Sequence, residues 1–157
     1  MVKQPKQGEV LAVCTSVAKG TPKTNVNEGE FIAEHGINGD AHAGKWHRQV
    51  SLLSWDKIED FRARGAEVED GAFGENLIVA GIDFKSLPVG TRYHCNGVIL
   101  EMTQIGKECH QGCIIFQKMG DCIMPREGVF AVVIKGGTIR AGDIMRVELP
   151  VTAEEAK

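Results

Sequence analysis

Three of the five cysteines in this 157-residue chain are clustered near residue 110, namely Cys109, Cys113 and Cys122. Lys107 and His110 flank the first of them. A sulfur nucleophile must be a thiolate, and a neighbouring cation favours that form over the thiol. If the segment is helical, Cys109 and Cys113 lie one turn apart and can act as a nucleophile and a resolving thiol. The alternative is that both are small buried hydrophobic residues, as most free cysteines are.

A second group of reactive side chains lies in the glycine-rich segment 36–49, which contains Asp40, His42, Lys45, His47 and Arg48. Its glycine and alanine residues let a ligand approach the backbone closely. Lysine and arginine bind phosphate or carboxylate, arginine through a bidentate fork. The pattern therefore predicts an anion-binding loop, and the alternative is a solvated loop with scattered charges.

Two shorter segments add weaker candidates. Glu75 and Asn76 stand between a glycine-rich turn and an apolar strand, a position from which the rim of a barrel presents polar groups. Ordinary turn chemistry is the alternative, because asparagine favours turns for local reasons. Lys23 follows the turn at residues 20–22 and can face an anionic ligand, although such a lysine is more often solvated.

Zinc binding is a second explanation for the clustered cysteines. Structural zinc sites usually show one pair of ligands a few residues apart, followed by a second pair. Cys109 and Cys113 fit the first pair, but the sequence has no clear second pair. Thiol chemistry is therefore the preferred interpretation, and a structural metal is an alternative.

The charge and hydropathy of the chain exclude several classes of protein. The 18 basic and 21 acidic residues give a formal net charge of −3, which is not the basic surface of a nucleic-acid-binding protein. No apolar run is long enough to span a bilayer, and the N-terminal residues lack the apolar region of a secretory signal. We therefore expect a cytoplasmic protein that binds neither nucleic acid nor membranes. The odd number of cysteines agrees with free thiols.

The elements that must position these residues are mostly strands. Nineteen glycines and few helical periods favour many short strands joined by turns. The Asn96-Gly97 pair predicts a two-residue hairpin between strands at 90–95 and 98–103. The apolar run 128–135 predicts a buried strand, and Ser54 is expected to cap a helix. These elements predict a mainly β fold, a closed or partly closed β-barrel with a few short helices.

The order of these motifs resembles the MOSC domain family. The segments that carry the resemblance are 20–23, 36–50, 71–77, 87–90, the cysteine segment at 106–113, 128–131 and 137–143. Each segment alone is weakly diagnostic, but their order and spacing together are specific. The resemblance extends over residues 10–148, so we expect a single MOSC-like domain in residues 1–157.

The resemblance implies a strand-rich barrel with a role in molybdenum-cofactor chemistry. In this family a cysteine after a barrel strand carries sulfur as a persulfide or ligates molybdenum. Cys109 matches that position best and Cys113 is the alternate, although Glu108 stands where the family often has proline. The implied molybdopterin-binding residues are Lys23, Lys45, Arg48 and Arg126 near its phosphate, with Asp40, His42, His47, Glu75 and Asn76 around the pocket.

The resemblance also implies partners. The sequence contains no pyridoxal-phosphate domain, so a carried sulfur requires a cysteine desulfurase or another donor, and a molybdoenzyme as acceptor. We therefore expect a sulfur carrier or sulfurtransferase domain. The alternatives are a non-enzymatic molybdopterin-binding or insertion module and a barrel with a structural metal.

Overall fold

The computed structural model of the chain describes residues 7–18, 21–106 and 127–150. Along the chain the elements are β1 (Gln7–Thr15), β2 (Thr24–Asn25), β3 (Glu28–Ile32), β4 (Gly36–Ile37), β5 (Val50–Ser54), α1 (Trp55–Ala63), β6 (Leu77–Ala80), a 3₁₀ turn (Phe84–Ser86), β7 (Arg92–Cys95), β8 (Val98–Ile105), β9 (Val129–Lys135), β10 (Gly137–Arg140) and β11 (Ile144–Glu148). No helix in these three ranges is long and apolar enough to cross a membrane.

Seven of the strands form a closed barrel. Hydrogen bonds join them in the order β11, β7, β8, β9, β5, β6 and β1, and β1 returns to pair with β11. The long strand β1 pairs with both β11 and β6: Gln7 is opposite Arg146 of β11, and Val13 is opposite Leu77 of β6. The prediction of a mainly β, closed barrel is confirmed, with one α-helix and one 3₁₀ turn among the described residues.

Two apolar clusters lie on the two sides of the barrel wall. Val10 and Val13 of β1 both contribute to the interior, because the register of β1 against β6 shifts between Val10 and Ala12. Ala12 and Cys14 face outwards and pack in a second cluster with Phe61 of α1. The helix therefore covers the outer face of the wall, which explains why every residue of β5 is buried.

A small sheet of β10, β3 and β4 packs against the barrel. Its apolar residues Phe31, Ile37 and Ile139 join the interior cluster. This sheet closes part of the barrel's interior and leads through β4 into the loop before β5. Alternation of apolar residues predicts a strand at 29–34, where β3 lies, but the sequence does not predict β4 and β10, which have only two and four residues.

Local predictions had mixed outcomes. The hairpin at Asn96-Gly97 is confirmed, since both residues have positive φ, 49° and 84°, and Cys95 pairs with Val98. The buried strand at 128–135 is confirmed as β9. Ser54 occupies the N-cap position of α1 as expected, but its side chain makes no capping hydrogen bond. Ser54 pairs with Val79 in the sheet and is buried there.

Candidate functional site

The loop between β4 and β5, residues 38–49, carries most of the predicted site residues. Its backbone is tied to β1 by a hydrogen bond from the Ala41 N–H to the Ser16 carbonyl oxygen, 2.7 Å. A Cβ added at Gly36 would lie 3.0 Å from the Gln49 carbonyl oxygen, so the two ends of the loop touch. The buried Gln49 side chain accepts a hydrogen bond from the Val133 N–H of β9 at 2.9 Å. The loop is therefore anchored on the barrel at both ends.

A buried ion pair lies at the base of this loop. Lys23 Nζ is 2.8 Å from Asp40 Oδ1, and neither side chain has exposed surface. Asp40 also accepts hydrogen bonds from the backbone N–H groups of Ser16 and His42, each at 3.1 Å. Burial alone would raise the pKa of Asp40, but the hydrogen bonds from Lys23, Ser16 and His42 outweigh burial and hold the pKa below its usual value. The ionised carboxylate joins β1, Lys23 and the loop.

Aromatic rings connect the ion pair to the outer part of the loop. His42 Nδ1 lies 2.9 Å from Lys23 Nζ, and the His42 ring stacks on Trp46 with centroids 6.1 Å apart. Trp46 Nε1 donates to the His42 carbonyl oxygen at 2.7 Å, and the Trp46 ring meets His47 edge-on at 6.0 Å. The His42 side chain is 30% exposed and Trp46 is 37% exposed. The three rings form a partly exposed wall along the loop, which we call the aromatic wall.

Gln104, near the end of β8, organises the last residues of the loop. Its Oε1 lies 2.8 Å from His47 Nε2 and accepts a hydrogen bond from Arg48 Nε at 3.1 Å. Its Nε2 donates to the Gly106 carbonyl oxygen at 2.8 Å. The Arg48 guanidinium also lies over the Phe130 ring, 5.1 Å from its centroid. Gln104 was missed in the sequence, where nothing distinguishes it from an ordinary polar residue on a strand.

Glu75 stabilises the turn at 71–75, which is hydrogen-bonded to the backbone of Lys23. Its two carboxylate oxygens accept hydrogen bonds from the N–H groups of Gly71 at 3.1 Å and Phe73 at 2.9 Å. Burial raises the pKa of Glu75 to about 7, although these backbone donors favour the ionised form. The Gly71 carbonyl oxygen in turn accepts a hydrogen bond from the Lys23 N–H at 2.8 Å. Glu75 therefore shapes the site through the backbone.

Asn76, like Glu75, is buried and hydrogen-bonded to the backbone of neighbouring segments. Its Nδ2 donates to the Cys14 carbonyl oxygen at 2.9 Å, and its Oδ1 accepts from the Ser51 N–H at 2.9 Å. The Ser51 hydroxyl adds a bond to the same Oδ1 at 3.2 Å. Asn76 has no exposed surface and links β1, β5 and the start of β6. The sequence placed it at a turn before a strand, and the structure shows that it joins three strands.

Cys14 and Cys95 are both buried. Burial raises the pKa of Cys14 to about 12, and the negative charges of Glu75 and Asp70 add to this effect. Burial, with a contribution from Asp143, raises the pKa of Cys95 to about 12 as well. Both thiols are therefore protonated at neutral pH and act as small apolar side chains.

The remaining predicted residues are Lys45, which is exposed on the same loop, and Cys109, Cys113 and Arg126, which lie outside the described residues. The described chain stops at Gly106 and resumes at Glu127. The Gly106 N–H donates to the Gly128 carbonyl oxygen at 2.7 Å, so the two ends of this gap are adjacent.

The structure brings most of the described candidates into contact. Lys23, Asp40 and His42 touch directly, and Trp46 links His42 to His47. Within the described ranges, no group of three or more His, Cys, Asp or Glu side chains is arranged to hold a metal ion.

Comparison with known proteins agrees with this architecture. YuaD from Bacillus subtilis is 19% identical, with a TM-score of 0.76 over 92% of this chain and 97% of that chain. YiiM from Escherichia coli is 18% identical, with a TM-score of 0.63 over 98% and 76% of the two chains. YiiM from Geobacillus stearothermophilus is 16% identical, with a TM-score of 0.64 over 93% and 75%. At these identities the likeness shows a shared fold alone.

Sequence comparison with families is more decisive. No curated protein matches this sequence. The family model of the MOSC domain matches residues 39–146, which include residues 39–49 of the loop with the aromatic wall, eight of the thirteen described secondary-structure elements and the first three residues of β11. Because the match spans more than half of the chain, the protein belongs to the MOSC domain family.

Proposed function

We propose that this MOSC domain is a sulfur carrier or sulfurtransferase of molybdenum-cofactor chemistry, with Cys109 bearing the sulfur and Cys113 as the alternate or resolving thiol. MOSC domains are associated with molybdenum-cofactor sulfurase-like functions, and that association motivates the proposal. Free thiols persist in a reducing compartment, so we place this chemistry in the cytoplasm.

The observation that carries the proposal is the contact between Gln104 and Gly106. Gln104 holds His47 and Arg48 through its Oε1 and the Gly106 carbonyl oxygen through its Nε2. Cys109 follows Gly106 by three residues, and a chain covers at most about 3.6 Å per residue, which limits the separation of the two Cα atoms to about 11 Å. This short separation along the chain supports the choice of Cys109 as the cysteine that works with His47 and Arg48.

The two cysteines in the described ranges support the same assignment by their chemistry. A thiol with a pKa of about 12 carries almost no thiolate at neutral pH, and both Cys14 and Cys95 are in this state. Neither is exposed to a partner protein. Thiolate chemistry in this chain therefore falls to the cluster at 109–122.

The polar groups of the loop suit an anionic ligand. Lys45 is exposed, Arg48 is partly exposed, and a guanidinium binds phosphate through paired hydrogen bonds. The aromatic wall presents a partly exposed flat surface beside them. These two side chains suit the phosphate of molybdopterin, which Lys45 and Arg48 would hold. When bound, the cofactor supplies a molybdenum centre that can receive sulfur.

The chemical step assigned to the protein is a thiol exchange. The Cys109 thiolate attacks the outer sulfur of a persulfide on a donor such as a cysteine desulfurase. A bond forms between the Cys109 sulfur and that outer sulfur, and the donor cysteine leaves as a thiolate. In this proposal the guanidinium of Arg48, held by Gln104, stabilises the negative charge on the loaded sulfur.

Mass spectrometry tests the sulfur-carrier assignment. The intact protein is incubated with a cysteine desulfurase and cysteine, and the added mass is mapped to peptides. We expect one added sulfur atom on the peptide that contains Cys109, lost in Cys109→Ser and retained in the matched control Cys122→Ser. Absence of added sulfur from both Cys109 and Cys113 would overturn the assignment.

A second candidate is a non-enzymatic module that binds molybdopterin for insertion into a partner enzyme, which would be a molybdoenzyme. The partly exposed Arg48 and exposed Lys45 on an anchored loop favour it. For this module, co-purified molybdenum and pterin should fall at least about tenfold in Lys45→Ala/Arg48→Ala and persist in Cys109→Ser. About one zinc ion per chain in the same metal analysis would instead support the structural-metal alternative.

A further inference from the structure

The side-chain amide of Gln104 has one orientation that satisfies its neighbours. Its Nε2 lies 2.8 Å from the Gly106 carbonyl oxygen, which can only accept a hydrogen bond. Its Oε1 lies 3.1 Å from Arg48 Nε, which can only donate one. Exchanging Oε1 and Nε2 would place two donors together at Arg48 and two acceptors together at Gly106. The oxygen of Gln104 is therefore fixed towards the loop at 38–49.

This oxygen determines which ring nitrogen of His47 carries a proton. Gln104 Oε1 lies 2.8 Å from His47 Nε2. A carbonyl oxygen can only accept, so Nε2 must be the donor and must carry a proton. The lone pair of the neutral ring is then on Nδ1, and a second proton can enter only at Nδ1. Protons therefore reach and leave the His47 ring through Nδ1 alone.

His47 is held by two neighbouring residues of β8 and remains exposed. Gln104 bonds to its ring, and the Thr103 hydroxyl donates to its carbonyl oxygen. The Trp46 ring meets the His47 ring edge-on, with centroids 6.0 Å apart. Over residues 7–18, 21–106 and 127–150, Gln104 is the only hydrogen-bond partner of the ring. Nδ1 of this fixed ring is thus available to a ligand.

Arg48 complements His47 at the same amide oxygen. Its Nε donates to Gln104 Oε1, and its guanidinium lies over the Phe130 ring, 5.1 Å from the centroid. A guanidinium stays protonated in proteins, so Arg48 supplies a fixed positive charge. Of the two basic side chains held by Gln104, His47 is the one that can take a proton. A cation beside a proton acceptor favours removal of a proton from a ligand, because it stabilises the anion that remains.

We propose that His47 is the proton acceptor for the thiol that receives sulfur, acting through Nδ1, and that Gln104 is a positioning residue that keeps Nε2 protonated. The S–H bond of the thiol breaks, its proton moves to Nδ1, and its electron pair stays on sulfur as a thiolate beside the Arg48 charge. After the thiolate has attacked the outer sulfur of the donor persulfide, Nδ1–H returns the proton to the departing donor thiolate. The proposal rests on the proposed function for the identity of the thiol.

Nitrogen-15 NMR of the full-length chain tests the position of the proton, with the His47 signals assigned by their loss in His47→Gln. Spectra are recorded at about pH 8.5, where an ordinary imidazole is neutral. We expect a proton on Nε2 and a lone pair on Nδ1. The Nδ1–H fraction should rise at least about threefold in Gln104→Met and stay unchanged in Gln7→Met, a matched control at an exposed position of β1.

A wild-type His47 ring with its proton on Nδ1, or an unchanged Nδ1–H fraction in folded Gln104→Met, would overturn the proposal. If Gln104→Met does not fold, the wild-type spectrum decides.

The rate of sulfur loading tests the role of the ring as a proton acceptor. The protein is incubated with a cysteine desulfurase and cysteine, and the added mass is followed over time. At about pH 7 we expect His47→Gln to load at least about tenfold more slowly than the wild type. His94→Gln, which changes a partly exposed histidine of β7, is the matched control and should load at the wild-type rate.

The ratio of the two rates should also change with pH. Above about pH 8.5 an ordinary thiol ionises without a base, so the deficit of His47→Gln should shrink towards about pH 9.5. A merely structural role of His47 predicts the same deficit at every pH. Wild-type loading in His47→Gln at about pH 7, or a deficit that does not change with pH, would contradict the proposal.

The two measurements separate this proposal from the proposed function. The spectrum needs neither a sulfur donor nor a cofactor. A chain that accepts no sulfur refutes the proposed function, while the spectrum still decides whether Gln104 fixes the proton of His47. A chain in which His47→Gln accepts sulfur as fast as the wild type refutes the role of His47 alone.

Discussion

At the scale of single residues, the polar side chains near the loop fall into two groups. Lys23, Asp40, Glu75 and Asn76 are at most 6% exposed, and each is bonded to protein atoms. His42 and its neighbours on the aromatic wall are partly exposed. Burying a charged or polar group is costly unless it is paired, so the first group stabilises the structure, while the second lies at the surface of the loop.

Glu75 predicts a pH dependence of stability. Folding raises its pKa from 4.5 to about 7, so the folded chain binds this proton more tightly than the unfolded chain. The stability that this proton contributes is complete below the unfolded pKa and is lost as the pH rises through the folded pKa. Relative to Glu75→Gln, the wild type should therefore lose up to about 3 kcal/mol of unfolding free energy between roughly pH 4.5 and pH 8.

Urea unfolding of both proteins across this pH range measures the difference. Glu9→Gln, which changes an exposed glutamate of β1, is the matched control and should run parallel to the wild type. A constant offset between wild type and Glu75→Gln at every pH would show that Glu75 is already ionised when folded near pH 5.

We expect substitution of Gln104 to lower the free energy of unfolding more than substitution of an ordinary exposed strand residue. Gln104→Met keeps the length of the side chain but removes the hydrogen bonds to His47, Arg48 and Gly106. We expect a loss of about 1–3 kcal/mol of unfolding free energy, because two of these bonds involve partners that are charged or can become so. Gln7→Met, at an exposed position of β1, should change stability by less than about 0.5 kcal/mol. Equal effects in the two variants, measured by urea unfolding, would contradict the role of Gln104.

At the scale of elements, the loop at 38–49 is hydrogen-bonded to the end of β1, and the turn at 71–75 is hydrogen-bonded to Lys23, which pairs with Asp40 of that loop. Ser16, directly after β1, bonds to both Ala41 and Asp40 of the loop. The turn contacts Lys23 through backbone hydrogen bonding at Gly71. The Lys23–Asp40 ion pair, the turn and the loop therefore all depend on the C-terminal end of β1.

Two glycines of this turn make a matched pair of tests. Both have positive φ, 90° at Gly71 and 81° at Gly74, but only at Gly71 would an added Cβ meet another segment. A Cβ at Gly71 would lie 2.1 Å from the Lys23 carbonyl oxygen, whereas nothing lies within 4 Å of one at Gly74. Gly74→Ala should cost about 1 kcal/mol through backbone strain alone.

Gly71→Ala should cost at least about 3 kcal/mol, because relieving the clash displaces the backbone of Lys23. Thermal or urea unfolding compares the two variants. A cost at Gly71 no greater than that at Gly74 would mean that the turn does not pack against Lys23 as described.

At the scale of the whole molecule, the closed barrel and its helix bury two of the five cysteines. Cys14 lies in the cluster beneath α1 and Cys95 in the barrel interior. At pH 8 a pKa of about 12 leaves a thiolate fraction of about 10⁻⁴. The fold thus removes two of the five cysteines from thiol chemistry.

Alkylation of the native protein tests this burial. With iodoacetamide at pH 8, Cys14 and Cys95 should react at least about 100-fold more slowly in the folded protein than in urea. At least one of Cys109, Cys113 and Cys122 should react in the folded state. Peptide mapping measures each rate, and rapid native labelling of Cys14 or Cys95 would refute their burial.

The sequence by itself determined the strand-rich barrel, the hairpin at Asn96-Gly97 and the strand β9. These depend on local patterns, namely alternation, turn residues and apolar runs. It also identified the segments that carry the MOSC resemblance and the residues Asp40, His42, His47 and Arg48 of the loop.

Only the tertiary structure decided what those residues do. The parallel pairing of β5 with β6, the closure of β1 on β11 and the burial of Lys23 against Asp40 join residues that are far apart in sequence. Gln104 meets His47 across 57 positions, and no local pattern encodes such a contact. Hydrogen bonds between distant segments depend on the packing of the whole barrel, because burial is what requires each polar group to find a partner.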